Sequence, residues 1–239
     1  KDTKVNPLQP AFLDKKVIGQ PTAALKLVAK EVLHCSGMVK NMLKDLAGFS
    51  KSEDPALVGK IKEQGQTLHA LMEAINDYLA ELFSAGVLTE LQATQTAKLM
   101  HVCGDVERMG ELAADLTDVI AGKIELKYSF SEEAMEDLRK SLNQISKMYG
   151  DAMRALEQGE PEEPEKLIRR REKVMDLDIN MRKAHMDRVT KGKCKAKLSA
   201  PFTRLLHCVD RMGNSCVNLA DMAMEHMNFG YFLDMEDDR

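Results

Sequence analysis

Glu107, Glu111, Asp115 and Asp118 follow one another at i, i+4, i+8 and i+11, a spacing that sets all four on one face of a helix. The i, i+4 acid spacing recurs at Glu172 and Asp176, with Asp178 nearby, and a weaker version runs through Asp210, Asn214, Asn218 and Asp221. Carboxylates at the edge of an apolar seam can face carboxylates on a neighbouring helix. Such groups repel unless a cation, a proton or an arginine lies between them. Metal sites in helix bundles are built this way. The plain alternative is a solvated flank with intrahelical partners such as Arg108. Histidines stand at 34, 69, 101, 185, 207 and 226, and none has the H-E-x-x-H or Glu-x-x-His spacing of a recognised metal site. His69 stands out because it falls mid-helix among apolar residues. The sequence has no G-x-S-x-G, no Gly-rich phosphate loop and no Cys/His nucleophile pattern, so it predicts no enzyme. Arg169, Arg170 and Arg171 read as a solvated basic face. Together with Lys191, Lys193, Lys195 and Lys197 they can meet acidic lipid headgroups, at ~1 kcal/mol per charge if they cluster on one side.

Helices must position these groups. Of 239 residues, 44% are apolar, 16 are Met and none is Trp, which suits helices packed on helices. The net charge of −4 gives no nucleic-acid footprint. No apolar run approaches the roughly 20 residues that cross a bilayer. Five cysteines without a CxxC spacing read as reduced thiols, mostly in the core. Gly and Pro divide the chain into six long helices: from Pro21 to about Gly48, from Pro55 to Gly86, after a Thr89 cap to Gly122, from a Ser129/Glu132 capping box to Gly159, through the acidic turn at 159–164 to Gly192, and from about Ser199 to Gly230. Short connections between long helices predict antiparallel packing.

A repeat organises them. Val102, Val106, Met109, Ala113, Leu116 and Ile120 step +4, +3, +4, +3, +4, and so do Leu205, Val209, Met212, Cys216, Leu219 and Ala223. Each pair is offset by 103 residues, and Arg108-Met109-Gly110 then falls on Arg211-Met212-Gly213. The predicted fold is all-α, with six long helices forming two tandem antiparallel three-helix bundles. Its expected divisions are an entry segment at 1–17, a first half at 18–123, a second half at 124–230 and an acidic C-terminal tail at 231–239. Gly110 and Gly213 are expected inside helices, each under a close neighbouring helix. The aromatic run Phe229 to Leu233 is expected either to form an exposed docking surface or to fold back on the last bundle.

Glu107-Arg-Met-Gly-Glu111 and Asp210-Arg-Met-Gly-Asn214 resemble the paired E/D-R-x-G-D signatures of PhoU domains. Three further stretches are similar to the PhoU-like cytoplasmic domain of bacterial Na/Pi-cotransporter family proteins. They are Phe12-Leu13-Asp14 with Pro21, Ala23-Ala24-Leu25 and Lys30-Glu31; Met181 to His185 with Arg188, Gly192 and Cys194; and Val209 to Gly213 with Asn218-Leu219-Ala220. The resemblance covers essentially the whole chain.

It implies a regulatory, non-enzymatic domain on the cytoplasmic side of the bacterial inner membrane, attached to a sodium/phosphate cotransporter and serving phosphate uptake or homeostasis. The membrane region is then expected upstream of Lys1, and this piece of the protein is expected to be soluble. Expected partners are the membrane region of the same chain, a second copy in a homodimer, and the inner leaflet, with no nucleic acid. The alternatives are a free-standing PhoU-type regulator that binds a transporter or histidine kinase, and a carboxylate-bundle metal-binding protein. The resemblance also implies candidate metal ligands, for iron or zinc. In the first half they are Glu107 and Glu111, with His69 where the family has an acid and Gly65 and Gln66 near the other expected acid. In the second half they are Glu172, Asp176 and Asp210, with Asn214 where an acid is expected. These neutral replacements weaken any hard-cation site.

Overall fold

The computed structural model describes residues 6–125, 129–159 and 164–234. Every regular element among them is helical: α1 (Pro21–Ser52), α2 (Pro55–Ser84), α3 (Glu90–Glu125), α4 (Glu132–Gln158), α5 (Pro164–Thr190), α6 (Ser199–Met224) and a short α7 (Gly230–Leu233). The acidic turn at 160–163, part of the expected junction at 126–128 and the tail at 235–239 lie outside the described residues.

Local chemistry sets most helix starts. Pro21 and Pro55 occupy first turns, where a missing N–H costs nothing. Asp54 caps α2 by accepting from the Ala56 N–H at 2.9 Å. Thr89 and Gln92 form a reciprocal capping box on α3. The cap of α4 is Ser131, which accepts from the Ala134 N–H, and not Ser129 as its box spacing suggested. Phe130 explains the shift. Its ring is buried edge-on against Phe202, centroids 5.5 Å apart, so the helix begins only after that anchor.

The predicted seams are the core. All twelve seam residues of α3 and α6 are buried. In the first half α1, α2 and α3 pack on one another, in the second α4, α5 and α6 do, and the halves join where α3 meets α6 and α1 meets α4. One continuous apolar core results. Polar pairs fix the register between halves: Tyr149 and Ser36 share a buried hydrogen bond of 3.0 Å, and Asn218 donates to Asp105 at 3.2 Å. Burial pushes the Cys103 thiol up to about 12 and Cys208 up to about 11, so these cysteines stay protonated packing groups.

The aromatic run near the C-terminus folds back. Phe229 and Phe232 are fully buried, α7 packs on α1, and the Phe229 N–H donates to the Leu156 carbonyl at 2.8 Å. It therefore forms no exposed docking surface. Large apolar side chains are exposed on α5 instead, at Ile168, Met175, Ile179 and Met186.

Gly110 lies inside α3 directly beneath α2, and a Cβ there would overlap Leu68 Cδ2. Leu68 is itself buried and has little room to yield. Gly110→Ala should destabilise the chain by about 1 kcal/mol, the overpacking cost outweighing the helix-propensity gain. Gly59→Ala, where a Cβ meets open space, should stabilise it by about 0.5–1 kcal/mol. Urea unfolding of both variants checks the contrast.

His185 is a buried histidine on α5. It stacks on Phe202 with centroids 4.4 Å apart, and its Nε2 shares a hydrogen bond with Ser199 Oγ at 3.0 Å. Burial and the nearby Arg188 guanidinium lower its pKa from the ordinary value. Unfolding releases the ring to its ordinary pKa near 6.5, so protonation favours the unfolded chain. The stability held by neutral His185 is complete above that value and is lost as pH falls below it. A melting temperature that falls less between pH 7 and pH 5 in His185→Gln than in the wild type would match this sign.

Candidate functional site

Two interhelical grooves carry the predicted acids, one between α2 and α3 and one between α5 and α6. Antiparallel packing and the close approach at Gly110 bring His69 over Glu107. Its Nδ1 lies 3.1 Å from Glu107 Oε1. Ligand atoms of His69, Glu107 and Glu111 all lie within 4.8 Å of one another, a group of three at the solvent edge of the bundle. Gly65, Gln66, Ala114, Asp115 and Asp118 line the same groove. The rest of the acidic stripe is neutralised by neighbours: Lys62 of α2 reaches Asp118 at 2.8 Å, and Arg204 of α6 lies 3.7 Å from Asp115. Arg108 turns to Asp105 and stays outside the group.

The second groove is different. Arg171 of α5 lies across α6 and donates from one Nη2 to Asp210 Oδ1 at 2.9 Å and to Asn214 Oδ1 at 2.7 Å. Its other terminal nitrogen is buried above Gly213, within 3.1 Å of where a Cβ would stand. Glu172 and Asp176 are exposed, and among the described residues they do not gather with Asp210 into a group of three. Nor are Arg169, Arg170 and Arg171 one solvated face. Arg170 pairs with Asp151 of α4 and Arg171 with Asp210, which leaves Arg169 as the exposed member.

The donor sets test whether a metal ion fits. One imidazole and two carboxylates converging on one point, with positions left to water, suit a divalent ion such as zinc or iron(II). Asp210 and Asn214 converge on a guanidinium, which already supplies the positive charge, so a metal does not fit there. The sequence reading missed this role of Arg171, although its signal was present. The 103-residue offset carries Leu68 onto Arg171 and His69 onto Glu172. A cation thus stands at the place of a buried leucine, over the equivalent glycine.

Replacing Arg171 with Ala should lower stability by about 1 kcal/mol, because Asp210 and Asn214 lose a shared donor in a half-exposed setting. The loss should shrink when Asp210→Ala is already present. A double-mutant cycle by chemical denaturation reads the coupling.

The comparisons with known proteins follow this architecture. The PhoU domain profile matches twice, over residues 32–120 and 138–223, once in each half. The chain is 24% identical over 183 residues to the "Putative inorganic phosphate export protein YjbB" of Salmonella typhimurium, an alignment covering 76% of this chain and 33% of that protein. It is 19% identical over 199 residues to the "Phosphate-specific transport system accessory protein PhoU homolog 1" of Thermotoga maritima, covering 82% of this chain and 84% of that protein. No solved structure matches the chain. Two profile matches spanning most of the sequence, one per three-helix half, make the conclusion direct: the chain belongs to the PhoU domain family.

Proposed function

We propose that this PhoU domain is a non-enzymatic regulatory domain of a sodium/phosphate transporter, carried on the cytoplasmic side of the membrane by the same polypeptide. The observation that supports this reading is the match to the Salmonella export protein, of which the chain spans only 33%, leaving most of that protein for another part. No helix among the described residues is long and apolar enough to cross a membrane, so a transport path would have to come from elsewhere in the protein. The Thermotoga accessory protein, spanned over 84% of its length, favours a second reading as a separate regulator that docks on a transport system. In either case the exposed apolar side chains of α5 are the natural contact for a membrane region or a second copy.

Within this reading, His69, Glu107 and Glu111 hold a single divalent ion. His69 of α2 and the two carboxylates of α3 would hold it jointly, and its charge would offset theirs. Arg171 performs the same service for Asp210 and Asn214 without a metal. The domain then has one ligand-responsive groove and one permanently closed groove.

The coding sequence upstream of Lys1 separates the two readings. Several apolar segments of roughly 20 residues would support the attached domain, and a start codon immediately before it would overturn attachment. For the function, phosphate flux should be followed in cells that carry the intact protein or a version lacking residues 18–230. A changed flux at equal membrane abundance is expected. Unchanged flux would contradict a regulatory role.

A further inference from the structure

The loop after α5 and the entry to α4 border a cavity of about 370 Å³ whose lining shares no residue with the acidic grooves. Ser129, Phe130 and Ser131 line one side, and His185, Arg188, Lys193, Cys194, Lys195, Lys197 and Leu198 line the rest. Four cations therefore surround one small space. Arg188 is largely buried, with its side chain 15% exposed, and the His185 ring is fixed by Phe202 and Ser199. The Lys193 and Cys194 N–H groups both donate to the Arg188 carbonyl, a tight turn that holds the lysine loop against the end of α5.

The nearby acids cancel this charge only in part. Asp187 is committed to Lys191 at 2.7 Å, which takes that lysine out of the cluster. Glu132 is committed to Arg139 at 2.6 Å. Glu133 lies 3.7 Å from Arg188 but is mostly exposed, at the rim. Lys193, Lys195 and Lys197 make no ion pair among the described residues. The first turn of α4, a helix of 27 residues, opens beside Ser129 and Ser131, and its end carries partial positive charge. A buried guanidinium, a neutral imidazole, two hydroxyls and unpaired ammonium groups around one cavity form the donor set that binds a phosphate group.

We propose that this cavity binds a phosphate group, either as inorganic phosphate or as the headgroup of an anionic lipid. The proposal does not rest on the transporter reading or on the ion site, and each can fail without the other. Arg188 supplies the fork that grips two oxygens, the serine hydroxyls donate to a third, and the lysines close over the mouth. Four cations opposed mainly by the exposed Glu133 and the shared Asp187 retain a net repulsion, and the anion removes it.

The test compares wild type with Arg188→Gln and with the double variant Lys193→Gln/Lys195→Gln. Lys173→Gln serves as the control, since that lysine is exposed on α5 and does not line the cavity. The lysines are exposed, so the double variant keeps the question open even if Arg188→Gln unfolds. Titration calorimetry with inorganic phosphate at low salt, and co-sedimentation with equimolar phosphatidylglycerol/phosphatidylcholine vesicles, distinguish the sources. Saturable phosphate binding that weakens about tenfold or more in the test variants but not in the control supports a soluble ligand. Vesicle binding lost in the same variants, without saturable phosphate binding, supports the lipid headgroup. Binding of neither probe, or binding that the test variants leave unchanged, overturns the proposal.

Discussion

Everything in this bundle depends on how closely α2 and α5 can approach the seam helices α3 and α6. Gly110 and Gly213 remove the Cβ at equivalent points, and a side chain from the neighbouring helix sits above each. Over Gly110 that side chain is Leu68, and over Gly213 it is Arg171. The close approach brings the acids of one helix within reach of the other. It therefore creates an electrostatic problem, which the occupant of the seat either leaves open or resolves. A leucine resolves nothing, and His69 and the two glutamates remain as a convergent donor set. An arginine resolves it from within the chain.

The two halves thus share a backbone and differ in chemistry. That follows from what a duplicated scaffold constrains. The seam must stay apolar in both halves because α3 and α6 pack against each other as well as against their own bundles. The groove-facing positions answer only to their own half. Charge at such a position can be balanced by an ion, a proton or a side chain with little effect on the fold. Structure at this level accordingly constrains function loosely, and the choice of residue at one seat decides whether a groove can respond to a ligand.

Much of this was legible in the sequence. The seam periodicity and the 103-residue offset gave both halves and the buried face of α3 and α6, because tandem packing fixes spacing strictly. Spacing set Glu107 and Glu111 on one helix face, whereas the placing of His69 beside them came only from the family resemblance, which sets it where an acid is expected. The role of Arg171 was not read, because a run of three arginines looks like a solvated face when only its own helix is considered. The 103-residue offset places Arg171 at the position of Leu68, a relation visible only across helices. Ser131 was missed as a cap for a similar reason: a capping box is a local pattern, and the burial of Phe130 against Phe202 is a tertiary one. The fold-back of Phe229 and Phe232 likewise depends on a groove beside α1 that no local pattern encodes.

The central claim is that the two grooves differ, one able to take an ion and the other closed by an arginine. Zinc titrated into metal-free protein, purified without a histidine tag and followed by calorimetry with elemental analysis, tests it most directly. The account predicts one ion per chain, lost in Glu107→Ala/Glu111→Ala and retained in Asp210→Ala. No stoichiometric binding, or binding that survives the double substitution and disappears with Asp210→Ala, would contradict it.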